Sequence, residues 1–132
     1  PLHFHQQSYD VMRIAKEIKQ ERPGTFILSG GFTASFFHRE ILSSFSQIGA
    51  IIRGDAEVPL IELLKALKEK RSLEAIPNLT WRKDGEIREN PLTYVASRDD
   101  LDRSSDINLS LLHNKETYIH SIGMPFVWAK GL

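Results

Sequence analysis

The residues of this 132-residue chain best suited to chemistry by type and spacing are Ser29-Gly30-Gly31-Phe32-Thr33. A glycine pair carries no Cβ to hold a ligand away from the backbone. The flanking hydroxyls of Ser29 and Thr33 can meet a phosphate or a sugar, or cap a helix. A second cluster, Gly54-Asp55-Ala56-Glu57, joins a glycine to two acids. Its charge suits a nucleoside sugar or an amide better than a phosphate, and the same acids also favour the positive end of a helix dipole. Arg53, just before it, can pair with Asp55, with Glu57 or with a ligand amide. His3 and His5 stand two apart, so on a strand both point to one face. Without a third ligand they read as a cleft wall or plain surface rather than a metal site. The chain has no cysteine, which removes disulfides, thiolate zinc sites, cysteine nucleophiles and iron–sulfur ligation from it.

The elements that must position these residues follow from hydrophobic period and breaker residues. Leu2-His3-Phe4-His5 reads as the tail of a strand. Ser8 or Asp10 can cap a helix in which Val11, Ile14, Ala15 and Ile18 recur at helical spacing, ended by Arg22-Pro23-Gly24. Residues 25–28 form a strand that delivers the glycine pair, and a helix runs on to about Phe45, with Phe32, Phe36 and Phe37 expected in the core. Residues 49–53 form the next strand and deliver Gly54-Asp55-Ala56-Glu57. Pro59 suits the first turn of a helix whose apolar face is Leu60, Ile61, Leu63, Leu64 and Leu67. Strand–helix–strand–helix at this spacing predicts parallel strands joined by right-handed crossovers. Both candidate clusters then lie at the carboxyl ends of strands, where open α/β sheets bind ligands. Lys83-Asp84-Gly85 between two strand-like runs predicts a hairpin at the sheet edge, with Trp81 packing across strands. From Asn90 the chain turns polar. Residues 97–106 read as a linker, and Leu109, Leu111, Leu112, Tyr118, Ile119 and Ile122 as a small helix or docking segment.

Lys and Arg total 17, Asp and Glu total 17, and the formal net charge is +0. That balance argues against a nucleic-acid partner. No apolar run approaches the roughly 20 residues of a membrane span, and no signal peptide opens the chain, so a cytoplasmic location is expected. The expected fold is α/β: a Rossmann-like (flavodoxin-like) doubly wound parallel sheet, incomplete, with a C-terminal β-hairpin and an irregular linker. The chain reads as an excerpt of a longer protein, and its open sheet edge predicts that the excerpt is marginal, aggregates, or pairs as an edge-strand homodimer.

Several of these segments together resemble the cobalamin-binding domain that precedes the catalytic barrel in cobalamin-dependent radical SAM proteins. The segment from His3 to Asp10 resembles the end of the third strand and the start of its helix. Gly30-Gly31 resembles the glycine pair that faces the nucleotide tail of cobalamin. Arg53-Gly54-Asp55-Ala56-Glu57-Val58-Pro59 resembles the Arg-Gly-Glu-Gly-Glu-type loop, and residues 76–85 resemble the proline-led hairpin that closes the domain. The resemblance implies that residues 1–92, with the hairpin over 78–90, are the C-terminal part of a cobalamin-binding domain, and that 93–132 lead towards a catalytic domain. It also implies cobalamin as the cofactor bound here, near Ser29, Gly30, Gly31, Phe32, Thr33, Gly54, Asp55, Ala56, Glu57, His3 and His5. An iron–sulfur cluster and S-adenosylmethionine would belong to the other domain, since the chain lacks the Cys-x-x-x-Cys-x-x-Cys motif. Also absent is the Asp-x-His-x-x-Gly motif whose histidine ligates cobalt. Two further readings stay open: a degenerate fold acting as a non-binding scaffold, and a phosphate-regulated signalling domain, for which Asp55 lacks a visible lysine partner.

Overall fold

The computed structural model of the chain describes Leu2 and residues 8–104. Helix α1 spans Ser8–Glu21. It buries Met12 and Ala15, with Val11 packed against the same cluster, and leaves Ile14 and Ile18 exposed. The inward stripe is thus turned towards Met12 relative to the expected Val11–Ile18 face, and Met12 and Ala15 join Leu2 and Ile41 in one cluster. Pro23 and Gly24 break the helix, and the Thr25 N–H donates to the Arg22 carbonyl at 3.0 Å.

Strand β1 is Leu28–Gly30, later than the expected 25–28, and β2 is Ala50–Ile52. They pair in parallel, Leu28 opposite Ala50 and Gly30 opposite Ile52. Pairing is approached one residue earlier, where the Gly49 N–H reaches the Ile27 carbonyl at 2.8 Å. Gly30 therefore belongs to the ladder, and only Gly31 makes the turn. Leu2, almost fully buried, lies along the far side of β1, its N–H on the Gly30 carbonyl at 2.6 Å. After β1 come α2, Phe32–Phe36, and α3, His38–Ser44. One helix was expected here. The backbone of Phe37, at φ −106° and ψ 30°, breaks it in two. Helix α4, Glu57–Glu69, follows β2 and ends on Lys70 in the left-handed region.

Strands β3 (Leu79–Lys83) and β4 (Glu86–Glu89) form the expected hairpin. Asp84 and Gly85 both take positive φ, 52° and 85°, as the tightest hairpin turns require. The sheet order is β1-β2-β3-β4, with β3 antiparallel to β2 and β4 antiparallel to β3. Trp81 sits between Ala50 and Arg88 in the ladder and is buried, as expected of a packing residue. The three residues of β2 are wholly buried because both faces are covered. On one face Leu2, Met12, Ala15, Ala34, Ile41, Leu42, Ile48 and Ile51 pack together. On the other, Leu63 and Ala66 of α4 meet Ala50, Ile52, Leu79 and Trp81. The fold is therefore the Rossmann-like α/β arrangement, with an antiparallel hairpin added at one edge.

The stretch expected as linker contains a short helix, α5, Arg98–Ser104. Ser97 and Asp100 cap it reciprocally: the Asp100 N–H donates to Ser97 Oγ at 3.1 Å, and the Ser97 N–H to Asp100 Oδ2 at 3.0 Å, a capping-box exchange. The docking segment expected around Leu109 to Ile122 lies outside the described residues.

Candidate functional site

The carboxyl ends of β1 and β2 bring the glycine clusters together. Gly31 adopts φ 102° and ψ 178°, a region essentially reserved for glycine. Its carbonyl accepts the Ser35 N–H and the Ser35 hydroxyl, both at 2.9 Å. Gly54, at φ 67°, follows β2, and its N–H donates to the same Ser35 Oγ at 2.9 Å. One hydroxyl thus ties the two loops. Gly30 has room beside it: a Cβ there would lie 3.5 Å from the Ile52 carbonyl, an ordinary contact. Ser29 is buried within β1, and Thr33 lines a groove towards α1 with Leu2 and Phe37.

The second loop is divided in its commitments. Asp55 is already engaged: Oδ2 accepts the Ala96 N–H at 2.9 Å, and its carbonyl accepts the Asn78 side-chain amide at 3.4 Å. Ala56 is the N-cap of α4 and supplies no side-chain hydrogen bond. Glu57 opens the helix, and its Oε2 is buried without a hydrogen-bond partner. His3 and His5 lie outside the described residues.

Two expectations are corrected here. Phe32, Phe36 and Phe37 are not core residues: they are 70%, 67% and 53% exposed. Helix α2 is too short to bury more than Ala34, and the break at Phe37 hands the buried positions to Ile41 and Leu42. The rings of Phe32 and Phe36 pack on each other, centroids 5.1 Å apart, as an apolar rim beside Gly31. Arg53 does not pair with Asp55 or Glu57. Because β2 is flanked by β3, its side chain turns to the hairpin base. Nη1 meets Glu89 Oε1 at 2.6 Å, Nη2 donates to the Asn90 carbonyl, and its backbone N–H donates to the Asn78 carbonyl at 2.9 Å.

Glu89 also receives Arg39, and His38 Nε2 lies 3.9 Å away. His38 Nδ1 is 3.1 Å from Thr80 Oγ1. Burial lowers the His38 pKa below 6.5. Glu89 pulls it back up, while Arg53 and Arg39 push it further down. For Glu89, burial alone would raise the pKa. The Arg39 hydrogen bond and the charges of Arg53 and Arg39 outweigh it and leave the group below 4.5. In both cases the unfolded chain binds protons before the folded one does, so stability falls on acidification. His38 contributes its loss as pH drops below 6.5 and Glu89 as it drops below 4.5. Thermal melts should therefore show a falling melting temperature between about pH 7 and about pH 5. His38→Gln should flatten that interval and leave the more acidic decline. A His38→Gln profile that overlays the parent throughout would count against this assignment.

Ser35, Asn78 and Asn90 were not singled out in the sequence. Asn78 carried a signal, since Asn after Pro favours a left-handed turn, and it takes φ 61° here. Among the described residues no group of His, Cys, Asp or Glu is arranged to hold a metal ion, and no helix is long and apolar enough to cross a membrane.

No family model matches the chain. Over 83 residues it is 30% identical to an uncharacterized methyltransferase of Pyrococcus horikoshii, a stretch covering 63% of this chain and 18% of that protein. Over 79 residues it is 28% identical to an anaerobic magnesium-protoporphyrin IX monomethyl ester cyclase of Synechocystis sp., covering 60% and 16%. The chain thus spans less than a fifth of the length of these relatives. Its fold is shared with the radical S-adenosylmethionine methyltransferase TsrM of Kitasatospora setae, in a structure with cobalamin and a 4Fe-4S cluster bound. The TM-score is 0.57 at 22% identity, over 70% of this chain and 16% of that one. These likenesses bear out the resemblance to cobalamin-dependent radical SAM proteins read from the sequence, and the likeness to TsrM shows a common fold.

Proposed function

We propose that this chain is a cobalamin-binding module of a radical SAM protein, with methyl transfer or rearrangement carried out by a catalytic domain beyond it. The observation that carries this reading is the pairing of Gly30-Gly31 with Gly54 at one end of the sheet, tied through Ser35. The residues present fit a bulky cofactor. Gly30 puts no side chain at the strand end, where a Cβ would meet only the Ile52 carbonyl, at 3.5 Å. Gly31 and Gly54 expose backbone at positive φ, and the buried, unpartnered Glu57 Oε2 can accept an N–H from a ligand amide.

In this reading Ser29, Gly30, Gly31, Phe32 and Thr33 form one wall of the cleft, and Gly54, Ala56 and Glu57 form the other. Phe32, packed on Phe36, shields the rim from water. Cobalamin, when bound, supplies a methyl carrier or an electron carrier, chemistry that belongs to the cofactor itself. The iron–sulfur cluster and S-adenosylmethionine fall to the catalytic domain, since this chain offers no cysteine.

A visible-absorbance titration of the whole chain with hydroxocobalamin tests the proposal. A saturable spectral change supports it. A folded circular-dichroism spectrum with no spectral change would favour the scaffold reading, in which the fold persists without its cofactor.

A further inference from the structure

The geometry points to Asn78 and Asp55 as positioning residues that latch a strap, residues 91–97, against the loop after β2 and make it a further wall of the cleft. Asn78 is fully buried, and its amide is saturated by the strap and that loop. Oδ1 accepts the Thr93 and Tyr94 N–H groups, both at 3.0 Å, while Nδ2 donates to the Tyr94 carbonyl at 2.8 Å and the Asp55 carbonyl at 3.4 Å. Its backbone N–H adds the Pro91 carbonyl at 2.9 Å. Asp55 completes the latch by accepting the Ala96 N–H. The acid that looked like a ligand contact in the sequence therefore holds the strap.

The latch continues into the glycine loops. Asp55 adjoins Gly54, whose N–H rests on Ser35 Oγ, and that hydroxyl donates to the Gly31 carbonyl. Strap, β2 loop and β1 turn thus form one hydrogen-bonded unit. Beyond the strap, Asp100 and Arg103 of α5 share a shallow cleft with Glu57, Val58 and Ile61 of α4. The path of the chain after the domain is accordingly set at the rim of the cleft. The cofactor role of this wall rests on the function proposed above; the latch does not.

Asn78→Gly is the informative variant. Glycine takes φ 61° without strain, so the backbone bonds of residue 78 to Arg53 and Pro91 survive and only the amide is lost. Asp55→Ala removes the acceptor for Ala96, and Asp55→Asn restores one without the charge. Site-resolved hydrogen exchange on the full chain should show Thr93 and Tyr94 protection falling about fivefold or more in Asn78→Gly. Ala96 protection should fall in Asp55→Ala and recover in Asp55→Asn, with Gly49 and Arg82 unchanged in the sheet. Hydroxocobalamin affinity should weaken about tenfold in Asn78→Gly and Asp55→Ala and return in Asp55→Asn. Strap amides that exchange in the parent chain as fast as in the variants would overturn the latch. An Asp55→Asn chain that binds as weakly as Asp55→Ala would make Asp55 a direct contact and overturn its positioning role. A parent chain that binds no hydroxocobalamin would overturn the strap's cofactor role, and exchange would still decide the latch.

Discussion

Gly30→Trp is expected to abolish saturable hydroxocobalamin binding, raising the dissociation constant at least about 100-fold, while the chain melts within a few degrees of the parent. The glycines of the pair differ in what they tolerate. Gly31 sits at φ 102°, so any side chain there costs about 1–3 kcal/mol of backbone strain, and lost binding could not be separated from lost fold. Gly30 is an ordinary ladder residue opposite Ile52. Its missing Cβ would touch only the Ile52 carbonyl, at 3.5 Å. A methyl group is accommodated there, and under the proposed function an indole would compete with the cofactor for the strand end. Gly30→Ala serves as the control and should bind close to the parent. Undiminished binding by a folded Gly30→Trp would remove the glycine pair from the cofactor site.

Arg53→Met is expected to carry the larger stability penalty, about 3–5 kcal/mol in chemical denaturation. Arg53 and Glu89 have side chains only 10% and 27% exposed, so the pair is poorly solvated, and removal of Arg53 leaves Glu89 to the more exposed Arg39 and to His38. The carbonyls of Asn78 and Asn90 lose donors in the same step. Glu89→Gln added to Arg53→Met should recover part of the loss, because the half-buried charge that Arg53 no longer balances is then gone. A cost below about 1 kcal/mol would place the pair among surface ion pairs.

The elements that local chemistry decides were legible in the sequence. Asp84-Gly85 specifies a turn with two positive φ values, and the hairpin forms where expected. Pro59 in the first turn marks α4 to within a few residues, but of the apolar face expected on it only Leu63 is buried and Leu67 packs on the core, while Leu60, Ile61 and Leu64 stay exposed and Ala66 takes the inward position. The glycine clusters fall at strand ends because the breakers around them leave no other place. What was not legible depends on contacts distant in sequence. Phe32, Phe36 and Phe37 have the composition of a core, and only the short, broken α2–α3 segment turns them outward. Arg53 finds Glu89 across the sheet rather than the acids beside it. Asn78 closes on a strap some 15 residues later, which no local pattern announces. Helix α5 was hidden by its charge, although Ser97 and Asp100 hold the capping spacing.

The reversal of strand direction at β3 decides where the protein can be altered without consequence. Since β3 enters opposite Ile52 and β4 leaves opposite Thr80, both open ends of the hairpin, Asn78 and Asn90, stand at the glycine rim. The closed end, Asp84-Gly85, is carried to the opposite end of the sheet, about 15 Å away at the usual rise of a strand. Nothing lies within 4 Å of a Cβ built at Gly85. That turn is thus an attachment point for a fluorophore or an inserted tag, where a reporter can follow the protein with the glycine loops and the strap untouched.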